Sequence, residues 1–133
     1  MGQPAAKQND QIIGTDTHIV IVPAGPAQVP TPLPHPYTGI INGGTISTVN
    51  IGGAAAAVVG STADNSPAHI PTPPGVSFQK PPSNKATIQA GSGTVKIGGK
   101  AAARNGDIAL TCDDPADAPM GSIIAAGTVF IGG

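Results

Sequence analysis

Thr94-Val95-Lys96-Ile97-Gly98-Gly99 is the stretch on which the reading of the fold turns. Val95 and Ile97 stand two apart, so in a strand they point one way while Thr94 and Lys96 point the other. The pattern recurs without gaps at Thr48-Val49-Asn50-Ile51-Gly52-Gly53 and at Thr128-Val129-Phe130-Ile131-Gly132-Gly133. Each Gly-Gly ends its strand with backbone angles that residues carrying a Cβ avoid. The first two copies continue in step: Gly53 leads through Ala54 to Ala57 to Gly60-Ser61, and Gly99 leads through Lys100 to Arg104 to Gly106-Asp107. The copies start 46 and 34 residues apart, too unequal for an open-ended array. Three strand units joined by variable loops predict a small, closed, all-β fold with approximate threefold symmetry.

Composition agrees. Only 10% of the 133 residues are charged, against roughly 25% in ordinary globular chains. Gly (19) and Pro (15) are abundant, yet the net charge is only -1 and Ile and Val are plentiful, which argues for folding over disorder. The apolar residues are mostly Ile, Val and Ala, which suit pleated surfaces better than helices. With Tyr37, Phe78 and Phe130 as the only aromatics, a small core of this kind calls for a staple such as a metal or a partner. The length fits one domain, read as residues 14–133 behind an N-terminal extension, residues 1–13. Further strands are expected at Thr17 to Val22, Ala86 to Ala90, Ile108 to Cys112 and Ser122 to Ala125. In the third of these Ile108, Leu110 and Cys112 share a face, so Cys112 is expected to point inward. The proline runs Pro23 to Pro36 and Pro67 to Pro82 are read as ordered loops, with mobile ligands for proline-binding domains as the other possibility.

Several functions are disfavoured. Six Lys and Arg scattered among seven Asp make no basic stripe, so nucleic acid is not expected. Residues 1–11 do not read as a secretory signal. Ile51 to Gly60 is about half the length of a membrane span. Catalysis finds little support: Gly91-Ser92-Gly93 lacks the nucleophile-elbow pattern, no glycine loop precedes Lys-Ser or Lys-Thr, and there is no Glu for acid/base work. Asp113, Asp114 and Asp117 read as a solvated acidic turn around Asp114-Pro115 in preference to a Ca2+ site.

The chain holds three histidines, His18, His35 and His69, and one cysteine, Cys112. Three imidazoles and a thiolate complete a tetrahedral zinc set. No local pair brings two of them together, so the spacing leaves open whether they form a structural metal site or are separate loop and core residues. Proline flanks His35 in Pro34-His35-Pro36 and brackets His69 in Pro67-Ala68-His69-Ile70-Pro71, which lowers the entropic cost of holding a ligand. A site with four protein ligands leaves no open position and is structural rather than hydrolytic.

The stretch Thr94 to Asp107, followed by Cys112 and then Ile123 to Gly133, resembles the PAAR-repeat proteins, the tip proteins of contractile injection systems such as type VI secretion and phage-tail-like extracellular particles. Ala101 stands where the family's Pro-Ala-Ala-Arg has proline, while Arg104 and the following Gly-Asp are kept; Ala54 to Ala57 match only through their flanking glycines. The resemblance implies a non-enzymatic β-cone seated as one copy on a trimeric VgrG-like spike protein. It also implies a structural Zn2+ ion held by His18, His35, His69 and Cys112. Such a chain is expected to remain cytoplasmic until assembly, then to ride at the particle's tip, with possible effector cargo and transient contact with the target membrane. Phe130 is expected either at the spike contact or in second-layer packing. The rival reading is a small zinc-stabilised adaptor whose proline runs bind partners.

Overall fold

The computed structural model describes residues 2–132 and contains no helix among them. Its strands are β1 (Gln3–Pro4), β2 (Gln11–Ala24), β3 (Ala27–Gly43), β4 (Ile46–Ile51), β5 (Ala54–Ala56), β6 (Thr62–Asn65) and β7 (Ser77–Phe78). The second half adds β8 (Lys85–Ile88), β9 (Lys96–Ile97), β10 (Lys100–Ala101), β11 (Ile108–Thr111), β12 (Ala118–Ile124) and β13 (Phe130–Ile131). Six of them pair antiparallel in the order β12-β11-β8-β6-β3-β2, and β12 pairs again with β2, so the sheet closes on itself. Closure removes free sheet edges over this part of the molecule. The interior is filled by Ile12, Tyr37, Ile41, Ile88 and Ile123 with small alanines between them.

The Gly-Gly repeats are hairpins rather than strand ends. Gly52, Gly53, Gly98 and Gly99 all have positive φ, from 60° to 87°, as the tight two-residue turn that matches strand twist requires. The alanines that follow return as β5 and β10 against β4 and β9. In the first and third repeats the Ile is the better buried, with Ile51 and Ile131 in the core and Val49 and Val129 exposed; in the second, Val95 and Ile97 are both half-buried against that core. The third hairpin is assembled from the two chain ends, since Ile131 pairs with Gln3 and Phe130 with Pro4. Residues 3–13, expected as an extension, are therefore part of the fold, with Ala5 and Ala6 fully enclosed. Met1 and Gly133, the ends of the expected extension and of the third repeat, lie outside the described residues.

Three turns tie the hairpins to the closed sheet. In the turns Lys7–Asp10, Val58–Ser61 and Arg104–Asp107, the last residue's N–H donates to the first residue's carbonyl. Its side chain accepts the first residue's N–H in return, at 2.9, 3.0 and 2.8 Å. The third position has positive φ in each, at Asn9, Gly60 and Gly106, residue types that tolerate it. The alanines just before the turns close a cycle: Ala6 donates to Ala103, Ala103 to Ala57 and Ala57 to Ala6. All three are buried, and side chains no larger than methyl let three backbones converge. The turns then reach the sheet through paired bonds to Ile41, Ile88 and Ile123. Pro4-Ala5-Ala6-Lys7 with Asp10 is thus the third copy of the turn, and its Ala-Ala-Lys-any-any-Asp spacing repeats Ala102 to Asp107.

The first proline run is not a loop. Most of it lies in β3, paired residue by residue with β2 from Ala27 to Ile40. Pro30, Pro32, Pro34 and Pro36 alternate and share parity with Thr38, whose N–H and carbonyl turn away from β2 to Asn65 and Ser66. The four missing donors thus fall on the outward edge of the strand, the place where proline costs no ladder bond. The second run is largely loop and contributes only β7, against β2.

Candidate metal centre

Alternation along β2 turns Ile12, Asp16, His18 and Val20 inward. On β3 the partner of Asp16 is His35, and His35 and Tyr37 also face in. His69 arrives from the loop after β6, where its N–H donates to Asn84 Oδ1 at 2.8 Å. Cys112 follows β11 and is buried as expected, although Ile108 and Leu110 do not share its environment. Ala109 and Thr111 are the inward residues of β11, next to a register shift against β12, and the cysteine turns in beyond the strand end.

Within the acidic turn Asp117 is solvated, but Asp113 and Asp114 form a clamp. Asp113 Oδ1 accepts the Thr17 N–H, Asp114 Oδ2 accepts the Ile19 N–H at 2.9 Å, and the Asp114 N–H donates to the Thr17 carbonyl. These bonds lay residues 112–114 along β2 and bring Cys112 opposite His18. Burial raises the Asp113 carboxyl above the usual range, against the Thr17 N–H bond that favours its charged form.

Four donors converge. His69 Nε2 stands 2.9 Å from Asp16 Oδ2, Cys112 Sγ stands 3.3 Å from the same oxygen and 3.7 Å from His18 Nε2, and His18 Nε2 is 4.0 Å from Asp16 Oδ2. All four donor atoms lie within 4.8 Å of one another. Donors bound to zinc at about 2.0–2.3 Å stand roughly 3.3–3.8 Å apart in a tetrahedron, so small adjustments would seat the ion. The oxygen, two nitrogens and sulfur suit a borderline cation. Two buried atoms in the cluster, Asp16 Oδ1 and His18 Nδ1, have no hydrogen-bond partner, and a buried carboxylate is costly without a compensating cation. Desolvation, reinforced by the Asp16 charge, pushes the Cys112 thiol up to about 12, so the thiol is held protonated, and a metal bound here would have to displace that proton.

His35 belongs to the aromatic cluster but outside this donor set. Its ring lies 5.4 Å from His18 and 5.6 Å from His69, while Nδ1 donates to the Leu33 carbonyl at 2.9 Å and Nε2 accepts the Thr72 N–H at 3.1 Å. Burial lowers its pKa, which suits a neutral ring with one donor and one acceptor. Asp16 is the donor that the sequence reading missed. Its signal was its position, two residues before His18 on the inward face of a strand.

A family model for the PAAR motif matches residues 32–115, more than half of the chain. The chain belongs to the PAAR motif family. Membership implies a spike-tip role in a contractile injection system, and the family is structural rather than enzymatic. No match was found among curated proteins or among solved structures. In this PAAR chain the eponymous Pro-Ala-Ala-Arg has two counterparts that each differ at one position: Ala101 to Arg104, inside the matched segment with alanine for proline, and Pro4 to Lys7, ahead of it with lysine for arginine.

Proposed function

We propose that this chain is the rigid tip of a contractile injection machine, seated as one copy on the end of a trimeric VgrG-like spike protein. In this reading a structural zinc ion holds the tip together. The observation that carries the proposal is the convergence of Asp16, His18, His69 and Cys112 in a chain of the PAAR family. His18, His69 and Cys112 supply three ligands and Asp16 Oδ2 the fourth; His35 braces the site by fixing the Thr72 segment against β3. Zinc would cross-link β2, the loop bearing His69 and the segment after β11, so its binding free energy adds to folding stability. Exposed Val49, Val129 and Phe130, the last 60% accessible, give the hairpin end an apolar surface for the spike.

The opposite end is suited to a target envelope. No Asp, Glu, Lys or Arg occurs between Asp16 and Asp64, so the β2–β3 hairpin meets an apolar layer without desolvating a charge. The tip would be assembled in the cytoplasm and travel outward on the particle. An adaptor that offers mobile proline ligands finds less support, because the first proline run is paired along β2.

Purification of the chain with its spike, followed by metal analysis, tests the proposal. One zinc per chain and one chain per spike trimer are expected. A metal-free chain of undiminished melting temperature, or a stoichiometry of three per trimer, would refute it.

A further inference from the structure

A small cleft of about 70 Å3 opens from the surface onto the donor cluster. Its walls include His18 and Cys112, and its other charged lining groups are Asp113, Asp114, Asp117 and Lys80. His18 is 1% exposed, and its Nδ1, which has no hydrogen-bond partner, lies 3.5 Å from Asp114 Oδ2. The ring's other nitrogen faces Cys112 Sγ at 3.7 Å. The cleft therefore runs from a carboxylate-lined mouth, past an unpartnered buried nitrogen, to two of the proposed ligands. A cleft of this size is roomy enough to admit water, and with it a cation that has shed part of its hydration shell.

A second, larger cleft of about 380 Å3 reaches His35 and His69 from another side. It is walled by prolines and neutral polar residues and contains no Asp, Glu, Lys or Arg. Electrostatics separates the two routes, since a carboxylate-lined concavity concentrates cations at its mouth and a neutral one does not.

We propose that the Asp113-Asp114-Asp117 cleft is the port by which a divalent cation enters and leaves the folded protein. Asp114 and His18 Nδ1 offer the transient contacts, and Lys80 opposes entry. The inference rests on the metal-centre reading, and its test separates the two. The zinc-loaded full-length chain is mixed with excess Cd2+ at low ionic strength, and exchange is followed by the thiolate-to-cadmium charge-transfer absorbance. Exchange is expected to be first order in Cd2+. Asp117→Asn should slow it by a factor on the order of 2–10 and Lys80→Gln should accelerate it comparably, with both differences shrinking as salt screens the mouth. Both side chains are exposed, so folding and metal stoichiometry should persist. Ser66→Asp, which adds a carboxylate at the larger cleft, should leave the rate unchanged. Exchange that is independent of Cd2+ concentration, indifferent to both variants, or accelerated by Ser66→Asp would overturn the port while leaving the metal centre standing. A chain that takes up neither metal would overturn the centre itself.

Discussion

At the scale of single residues, the fourth donor decides the character of the site. Asp16 Oδ2 already contacts His69 Nε2 and Cys112 Sγ, whereas His35 would have to surrender two backbone hydrogen bonds to join. An Asp-His-His-Cys set is also neutral with zinc, which suits a site buried this deeply. Asp16→Asn should therefore lower zinc affinity by about 100-fold or more, while His35→Gln, whose amide can keep one donor and one acceptor, should stay within about tenfold. Competition titration against a chelator of known affinity measures both; the reverse order would return His35 to the ligand set. The sequence made His18, His69 and Cys112 legible because histidine and cysteine are rare enough here to be counted. Asp16 was not, because one aspartate among seven carries no mark until the register of β2 assigns it a face.

A second residue-scale argument concerns the alanine cycle. Ala57 sits in the copy of the turn that lacks a cation, with Val58 and Ser61 where the others have Lys7 with Asp10 and Arg104 with Asp107. The cycle needs backbone groups and small side chains, not the cation, so this copy folds like its neighbours. Ala57→Val would crowd three converging backbones and should cost about 1–3 kcal/mol, read from the urea midpoint. A neutral outcome would mean that the cycle has slack that the geometry does not reveal.

Among the elements, β3 is where sequence and structure diverge most. A run with proline at every second position reads as loop because proline cannot serve a sheet interior. Such a run can still be an edge strand if every proline shares the outward parity. The alternation was visible; that the inward parity would be paired to β2 was not, since pairing is a tertiary fact. From Pro30 to Pro36 the outer edge of β3 offers carbonyls without N–H donors, which denies a second chain half of the ladder it would need. Replacing Pro30 and Pro32 with alanine restores two donors to an exposed edge. The double variant is expected to keep its zinc and its fold but to self-associate with rising concentration, as sedimentation velocity would detect. A strictly monomeric variant would show that the prolines serve stiffness alone.

On the scale of the whole molecule, the closed cycles raise the question of what the chain ends contribute. The repeated Thr-Val-any-Ile-Gly-Gly motif made an all-β architecture legible, but two of its hairpins are covalent while the third strand ending pairs with the opposite end of the chain. That is why the first residues read as an extension: the strand that Gln3 and Pro4 pair with lies more than a hundred residues away in sequence, and the partners of Ala5 to Asp10 are scattered among Ile41, Ala55 to Ala57, Ala103 and Arg104. In the covalent hairpins Ile51 pairs with Ala54 and Ile97 with Lys100 across two glycines; in the third, Ile131 pairs with Gln3. Joining Gly133 directly to Gln3 would therefore give Ile131-Gly132-Gly133-Gln3, the same two-residue loop on the same register. Opening the chain between Gly52 and Gly53 would then exchange one break for an equivalent one. Because loop-closure entropy changes little between breaks of equal span, the permutant should match the natural order within about 1 kcal/mol in urea unfolding and should bind one zinc. The control is the same opening made without joining the ends. It leaves Ala5 and Ala6, with their buried bonds to Val129 and Ala103, on a fragment held only by noncovalent contacts, and it should lose cooperativity on dilution. A permutant that fails while this control folds would show that the three hairpins are not interchangeable, and that the order of the chain matters to the tip beyond the contacts it makes.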